Sequence, residues 1–293
     1  MPGLYESLVT QSVVLGAQYA LVAIGIVVLF RHTGIANFAQ GEILALGGLA
    51  ALEVQRAFAM SIGVQVALVV GVSLLGGAIG AVMYAVCHAP LRRAQDDLLV
   101  VVGTLAVALL LGNAFRFQYG SETHSVAPLL TDAVRFRGFA GPEIAVIALP
   151  VMLVVGWLAL QRYTRAGRRL TAVAQNPVGA TLCGIDVRVW FVVAWAVSSL
   201  VGALAGMLVG GLIGVRATVP LGYLIKGFIA AVFGGLTSVG GALVGGIALG
   251  AVDVFGGYYL PTAVRDIVGF ALLISVLLMR PQGMFGRLTE SRL

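Results

Sequence analysis

The chain has little charge, almost no cysteine and a single lysine. Of its 293 residues only 10% are charged, and the 18 basic residues include one lysine, Lys226. A soluble helical protein holds itself in water with many solvated lysines and acids, so this scarcity excludes a water-facing surface over most of the chain. No GxxxxGK[ST] loop is present to cradle nucleotide phosphates, and neither GxSxG nor HExxH occurs. Any ATP-driven step therefore belongs to another subunit, and no enzymatic motif stands out. Cys87 and Cys183 are the only cysteines; both fall at segments read as cytoplasmic, which argues against a disulfide and leaves too few soft ligands for a metal. They are expected to be inert thiols. The opening MPGLYESLVT has no Lys or Arg and contains Glu6, so it lacks the positive start of a secretory signal, and the first apolar run reads as a retained span.

What the chain does have is apolar surface and glycine. Hydrophobic residues make up 60% of it, the mean hydropathy is +1.03 and there are 40 glycines. The solvent for most of this chain is lipid, where small residues let helices approach closely. The net charge of +6 comes almost wholly from arginines at the ends of apolar runs, where cytoplasmic anchors sit. Basicity here reports orientation and gives no reason to expect nucleic acid.

A crossing helix needs about 20 apolar residues, and such runs lie at about 10–30, 62–86, 97–116, 142–160, 188–213 and 263–279. The region 220–256 is too long for one span and is interrupted by GGLTSVGG (Gly234 to Gly241). A turn there predicts two short spans, about 220–235 and 240–256. Nine crossings then put the N-terminus outside and the C-terminus in the cytoplasm, with eight spans and a re-entrant hairpin as the rival count. The nine-span arrangement leaves Arg31, Arg92, Arg93, Arg162, Arg165, Arg168, Arg169, Arg188, Arg280, Arg287 and Arg292 inside, eleven basic residues against seven outside. The fold class is an all-α integral membrane bundle of about eight to nine transmembrane helices, some short or discontinuous, forming one domain over 1–293.

The region 34–53 carries Asn37, Gln40 and Glu42 inside an apolar run. Helical phase puts Asn37, Gln40 and Gly41 on one face but turns Glu42 nearly opposite Gln40, so one continuous helix does not gather all three. One reading starts a helix at Phe38, with Asn37 as N-cap and Gln40 returning a bond to the Asn37 amide, and makes Gly34 to Ala36 non-helical backbone near membrane depth. The other is an interfacial loop with Glu42 reaching out to water.

The loop of about 161–187 is punctuated as two short helices. Asn176 suits an N-cap, Pro177 the first helical position and Gly184 the left-handed position after the last turn. A helix of about seven residues is marginal alone and needs a partner surface. Val178, Ala180, Thr181, Leu182 and Ile185 offer it a small apolar face, directed either to its own bundle or to another protein.

Together these segments resemble the branched-chain amino acid ABC transporter permease family, the LivH-type subunits. The resemblance rests on GAQYALVAIGIVVLFRHTGIANFAQGE (Gly16 to Glu42), GTLAVALLLGN (Gly103 to Asn113) with the following YGSETHSVAPL, AVAQNPVGATLCGID (Ala172 to Asp186), and IAAVFGGLTSVGGALVGGIALG followed by RPQGMFG. Gln40 stands where that family usually has His; Gln keeps the hydrogen bonding without an imidazole. The resemblance implies a heteromeric importer of the bacterial inner membrane. A second, LivM-type permease shares the pathway, two cytoplasmic ATPase subunits use ATP and Mg, an extracytoplasmic binding protein delivers substrate, and this chain binds no cofactor. It places the substrate pathway near Asn37, Gln40, Glu42 and Asn113. It makes Arg168, Asn176, Pro177, Gly179, Ala180, Gly184 and Ile185 the loop that couples to an ATPase. The implied cargo is Leu, Ile or Val, with urea, short amides or another small solute as the alternative. An ion-coupled secondary transporter is the competing class, with Glu42, Asp253 and Asp266 as its candidate ionisable groups.

Overall fold

In a computed structural model, the described residues are 2–59, 61–91, 97–130, 135–136, 138–216, 219–259, 261–280 and 282–286. Arg92, Arg93, Asp96, Arg287, Ser291 and Arg292 lie outside them, as does the side chain of Asp266. Eleven helices follow one another among the described residues: α1 (Pro2–Thr33), α2 (Gln40–Ala57), α3 (Ile62–Leu91), α4 (Asp97–Tyr119), α5 (Gly141–Tyr163), α6 (Arg165–Gln175), α7 (Pro177–Leu182), α8 (Val187–Ile213), α9 (Val219–Gly234), α10 (Val239–Tyr259) and α11 (Thr262–Met279). A two-residue antiparallel ladder, β1 (Arg135–Phe136) with β2 (Phe139–Ala140), precedes α5. Six helices (α1, α3, α4, α5, α8 and α10) are long and apolar enough to cross a membrane, and α9 and α11 contain shorter apolar helices. The expected all-α polytopic bundle is what the chain forms. Its glycine-rich turn falls at the expected place, since α9 ends at Gly234 and α10 begins at Val239.

Burial sorts the helices. The most apolar stretch of α1 is 78% buried and that of α8 is 72% buried, against 11% in α4. The first two therefore form the core, while α4 turns most of its surface outward. Lipid tails are as apolar as leucine, so helices in a bilayer are held by close contact, and the residues at the crossings are small. A β-carbon on Gly206 of α8 would run into the backbone of Leu44 on α2, one on Gly80 of α3 into Trp195, and one on Gly246 of α10 into the backbone of Ala20. These three crossings hold α2, α3 and α10 against the central pair.

The two ends of the bundle are tied differently. At one end the backbones of His124 and Val215 exchange hydrogen bonds of 2.9 and 2.8 Å, and Gln55 at the end of α2 bonds both the amide and the carbonyl of Ala127. At the other, the amides of Met284 and Phe285 donate to the carbonyls of Phe233 and Gly234, seating the segment after α11 on the α9–α10 turn. That turn and the segment after α11 therefore share one face of the molecule, as the splitting of 220–256 predicts.

Inside the bundle, Lys226 of α9 lies 2.9 Å from Asp253 of α10, whose other carboxylate oxygen accepts from the Tyr19 hydroxyl at 2.8 Å. Asp253, expected as a candidate coupling site, is thus a fully buried member of an ion pair. Removing one member of a buried pair strands the other charge, at about 3 to 5 kcal/mol, whereas removing both is far milder. Lys226→Met should therefore sharply lower the yield and melting temperature of detergent-extracted protein, and Lys226→Met with Asp253→Asn should recover most of both, as read by thermal size-exclusion profiles. Equal losses in the single and double variants would show that the pair is not the source of the effect.

Candidate functional site

The candidate pathway centres on the break between α1 and α2. Gln40 packs against Gly25 of α1 and Gly202 of α8. Gly25 lies eight residues before the end of α1, about 12 Å at 1.5 Å per residue. The chain from Gly34 to Ala39 therefore descends into the bundle as non-helical backbone. Such backbone survives at membrane depth only where protein or water satisfies it, and here side chains do so. The Ile35 amide donates to the Thr33 hydroxyl at 3.2 Å, the Phe38 amide to the Thr104 hydroxyl of α4 at 3.2 Å, and the Ala39 amide to Asn37 Oδ1 at 2.9 Å.

The local geometry corrects the expected capping box. The helix begins at Gln40 rather than Phe38 and runs on to Ala57. Asn37 closes a turn onto the Ala39 amide, two residues on, which is the habit of an Asx turn. The Gln40 side chain does not return to Asn37. Its Nε2 donates to the Ser198 carbonyl on α8 at 3.0 Å, and the Ser198 hydroxyl donates to the Gly25 carbonyl at 2.7 Å. Gln40 and Ser198 together thus stitch α2 to α8 and α8 to α1 with hydrogen bonds, a long-range pairing that the local sequence could not reveal.

The four candidate pathway residues fall into two environments. Asn37 and Gln40 are buried within the chain. Glu42, half a helical turn past Gln40, faces away from α8 into a cleft of about 150 Å³ that it shares with Asn113 and Arg116 of α4 and with Phe38 and Leu224. Asn113 is exposed and donates to the Leu109 carbonyl at 2.7 Å. The carboxylate of Glu42 approaches Gly112, where a β-carbon would lie 3.1 Å from Oε1, and its buried Oε2 has no hydrogen-bond partner among the described residues. Arg116 was not among the expected pathway residues, although its place three residues after Asn113 on one helix face would have exposed it.

At the far face of the molecule the second candidate region is built as the punctuation predicts. Asn176 Oδ1 accepts from the Gly179 amide at 2.8 Å and Pro177 takes the first helical position of α7. Gly184 has φ +76°, the Ile185 amide reaches the Ala180 carbonyl at 3.0 Å and the Gly184 amide the Thr181 carbonyl at 2.9 Å. These two bonds form a Schellman closure that requires the left-handed backbone of Gly184. The helix ends one residue early, at Leu182.

The apolar face of α7 divides in a way not expected. Ala180 is buried in a small core with Val173 of α6 and Phe191 of α8, whereas Val178 and Leu182 are 72% and 85% exposed. Arg168 is exposed on α6, which is anchored where Gly167 meets the Leu160 carbonyl. Of the two cysteines, Cys87 is buried and Cys183 is exposed just beyond α7.

Asn37→Ala should leave the buried Ala39 amide without an acceptor, a loss of about 1 to 3 kcal/mol, whereas Asn37→Ser keeps an oxygen in reach. Thermal stability in detergent should fall for Ala and recover for Ser. Asn37→Asp places a carboxylate at a buried site and should fall too, contrary to what an exposed cap would show.

The family described as the branched-chain amino acid transport system permease component matches residues 8–277. The chain is 31% identical to the high-affinity branched-chain amino acid transport system permease protein LivH of Salmonella typhimurium, over 94% of this chain and 93% of that one. It is 30% identical to the LivH protein of Escherichia coli over the same shares, and 29% identical to the corresponding BraD protein of Pseudomonas aeruginosa over 98% of both chains. No solved structure matches it.

Proposed function

Because the chain belongs to the branched-chain amino acid transport system permease component family, we propose that it is the transmembrane subunit of an ATP-driven importer of Leu, Ile or Val. It forms the pathway with a second, related permease, receives substrate from an extracytoplasmic binding protein and is driven by two cytoplasmic ATPase subunits that use ATP and Mg. The N-terminus lies outside and the C-terminus in the cytoplasm. Glu42 and Asn113 face the pathway, while Asn37 and Gln40 hold the broken helix beside it. The pairing of Asp253 with Lys226 disfavours ion coupling through that carboxylate.

The observation that carries the coupling mechanism is α7. It is closed at both ends by its own caps, rooted in the bundle through Ala180, and exposes Val178 and Leu182 one turn apart. An ATPase groove that received those two side chains would move a rigid unit. Motion then enters α8 through Phe191, and Ser198, the acceptor for Gln40, sits seven residues further on, about 10 Å along the same helix. A single central helix thus links the coupling contact to the break beside the pathway.

Leu182→Glu should put a charge into the docking contact and leave the bundle untouched. The variant should express normally yet co-purify poorly with the ATPase subunits and lose substrate-stimulated ATP hydrolysis. Ala180→Glu should instead lower the yield of the permease itself, because Ala180 belongs to the permease's own packing. Normal subunit recovery and uptake with Leu182→Glu would withdraw the coupling role.

For orientation, single cysteines at Thr123, Thr181 and Ser238, without Cys87 and Cys183, should divide in intact spheroplasts. An impermeant maleimide should label Thr123→Cys only. Labelling of Ser238→Cys but not Thr181→Cys would eliminate the nine-crossing arrangement.

A further inference from the structure

The cleft between α2, α4 and α9 combines opposite charges with an aliphatic wall. Glu42 and Arg116 line it together with Asn113, and Leu105, Leu109 and Leu224 supply the apolar surface. A charged group at membrane depth is expensive against lipid, so it faces protein or water. On α4 the Glu42 carboxylate lies level with Gly112, seven residues or about 10 Å before the helix ends at Tyr119. Arg116 is one turn nearer that end, which is the outer end in the orientation given above. The acid and the base therefore stand at successive depths along one wall.

Resting on that reading of the chain as an importer subunit, we propose that this cleft is an outer waypoint for a zwitterionic aliphatic amino acid. The guanidinium of Arg116 receives the α-carboxylate, the carboxylate of Glu42 receives the α-ammonium, and the leucines of α4 and α9 receive the side chain. The chemistry fits this ligand better than a neutral one. A urea or short amide needs no pair of opposite charges, and an aliphatic side chain needs the apolar wall that such solutes would leave wet. Glu42 Oε2 is buried beside Gly112 and has no hydrogen-bond partner among the described residues, an unmet acceptor of the kind that calls for a donor, and the ligand's ammonium supplies one when the carboxylate turns into the cleft. The most exposed of the long helices, α4, forms one side, so the second permease of the assembly is placed to close the cleft from without.

The test uses the complete transporter in proteoliposomes, with its binding protein saturated by radiolabelled leucine and ATP supplied inside. Glu42→Gln and Arg116→Gln should each reduce the maximal uptake rate at least tenfold, while the ATPase subunits still co-purify and basal ATP hydrolysis stays within twofold. Leu158→Ala, on the exposed surface of α5 away from the cleft, should transport as wild type. Wild-type uptake rates in both charge variants would overturn the waypoint and leave the importer reading intact. A wild-type complex that imports urea but none of Leu, Ile or Val would overturn the importer reading itself. Failure of the charge variants to assemble with the second permease, with Leu158→Ala assembling normally, would assign the cleft to the subunit interface, again overturning the waypoint.

Discussion

Everything near the break between α1 and α2 depends on one constraint: backbone that leaves a helix inside a membrane protein must find its hydrogen bonds within the protein. Between Thr33 and Gln40 the chain has no helix to supply them, and each unmet amide or carbonyl in an apolar surround is strongly disfavoured. The structure answers with hydroxyls and one carboxamide. Thr33, Thr104 and Asn37 take the amides of Ile35, Phe38 and Ala39. The Thr104 bond matters beyond its strength, because α4 touches the core little and this bond fixes it to the break. Without the break, Glu42 would not reach the depth at which it meets α4.

The second element is the use of α8 as a common wall. Three helices meet it or its neighbour α1 through glycine, and the fit is backbone to side chain or backbone to backbone. Such contacts leave no slack, so the Gln40 carboxamide between Gly25 and Gly202 is held in one place and its bond to the Ser198 carbonyl follows. Packing and polar satisfaction are here the same event. The absence of a side chain at Gly25 and Gly202 makes room for the group that stitches the three helices.

Much of this was legible in the sequence, for reasons that also mark where legibility stops. Apolar run length located the long helices, and the glycine cluster from Gly234 to Gly241 divided the last region correctly, because both signals are local. The caps of α7 were legible for the same reason: Asn176, Pro177 and Gly184 act within four residues of themselves. The partner of Gln40 was not, since Ser198 is 158 residues away and nothing near Gln40 specifies it. Lys226 and Asp253 lie between. Once 220–256 is folded at GGLTSVGG its two arms run antiparallel, which brings these residues close enough to have been proposed as a pair.

The division of α7 was legible and was misread. Composition grouped Val178, Ala180 and Leu182 into one apolar face, yet at 100° per residue Ala180 is turned about 200° from both of the others. A helix of six residues has room for two faces, and the smaller side chain takes the inner one, where the space between Val173 and Phe191 admits little else. The same rule separates Gln40 from Glu42 on α2. One turns toward α8 and is consumed by structure; the other turns toward α4, lines the cleft there and has a buried oxygen without a hydrogen-bond partner among the described residues. In both places a two-residue step along a helix divides a side chain packed into the bundle from one turned away from it.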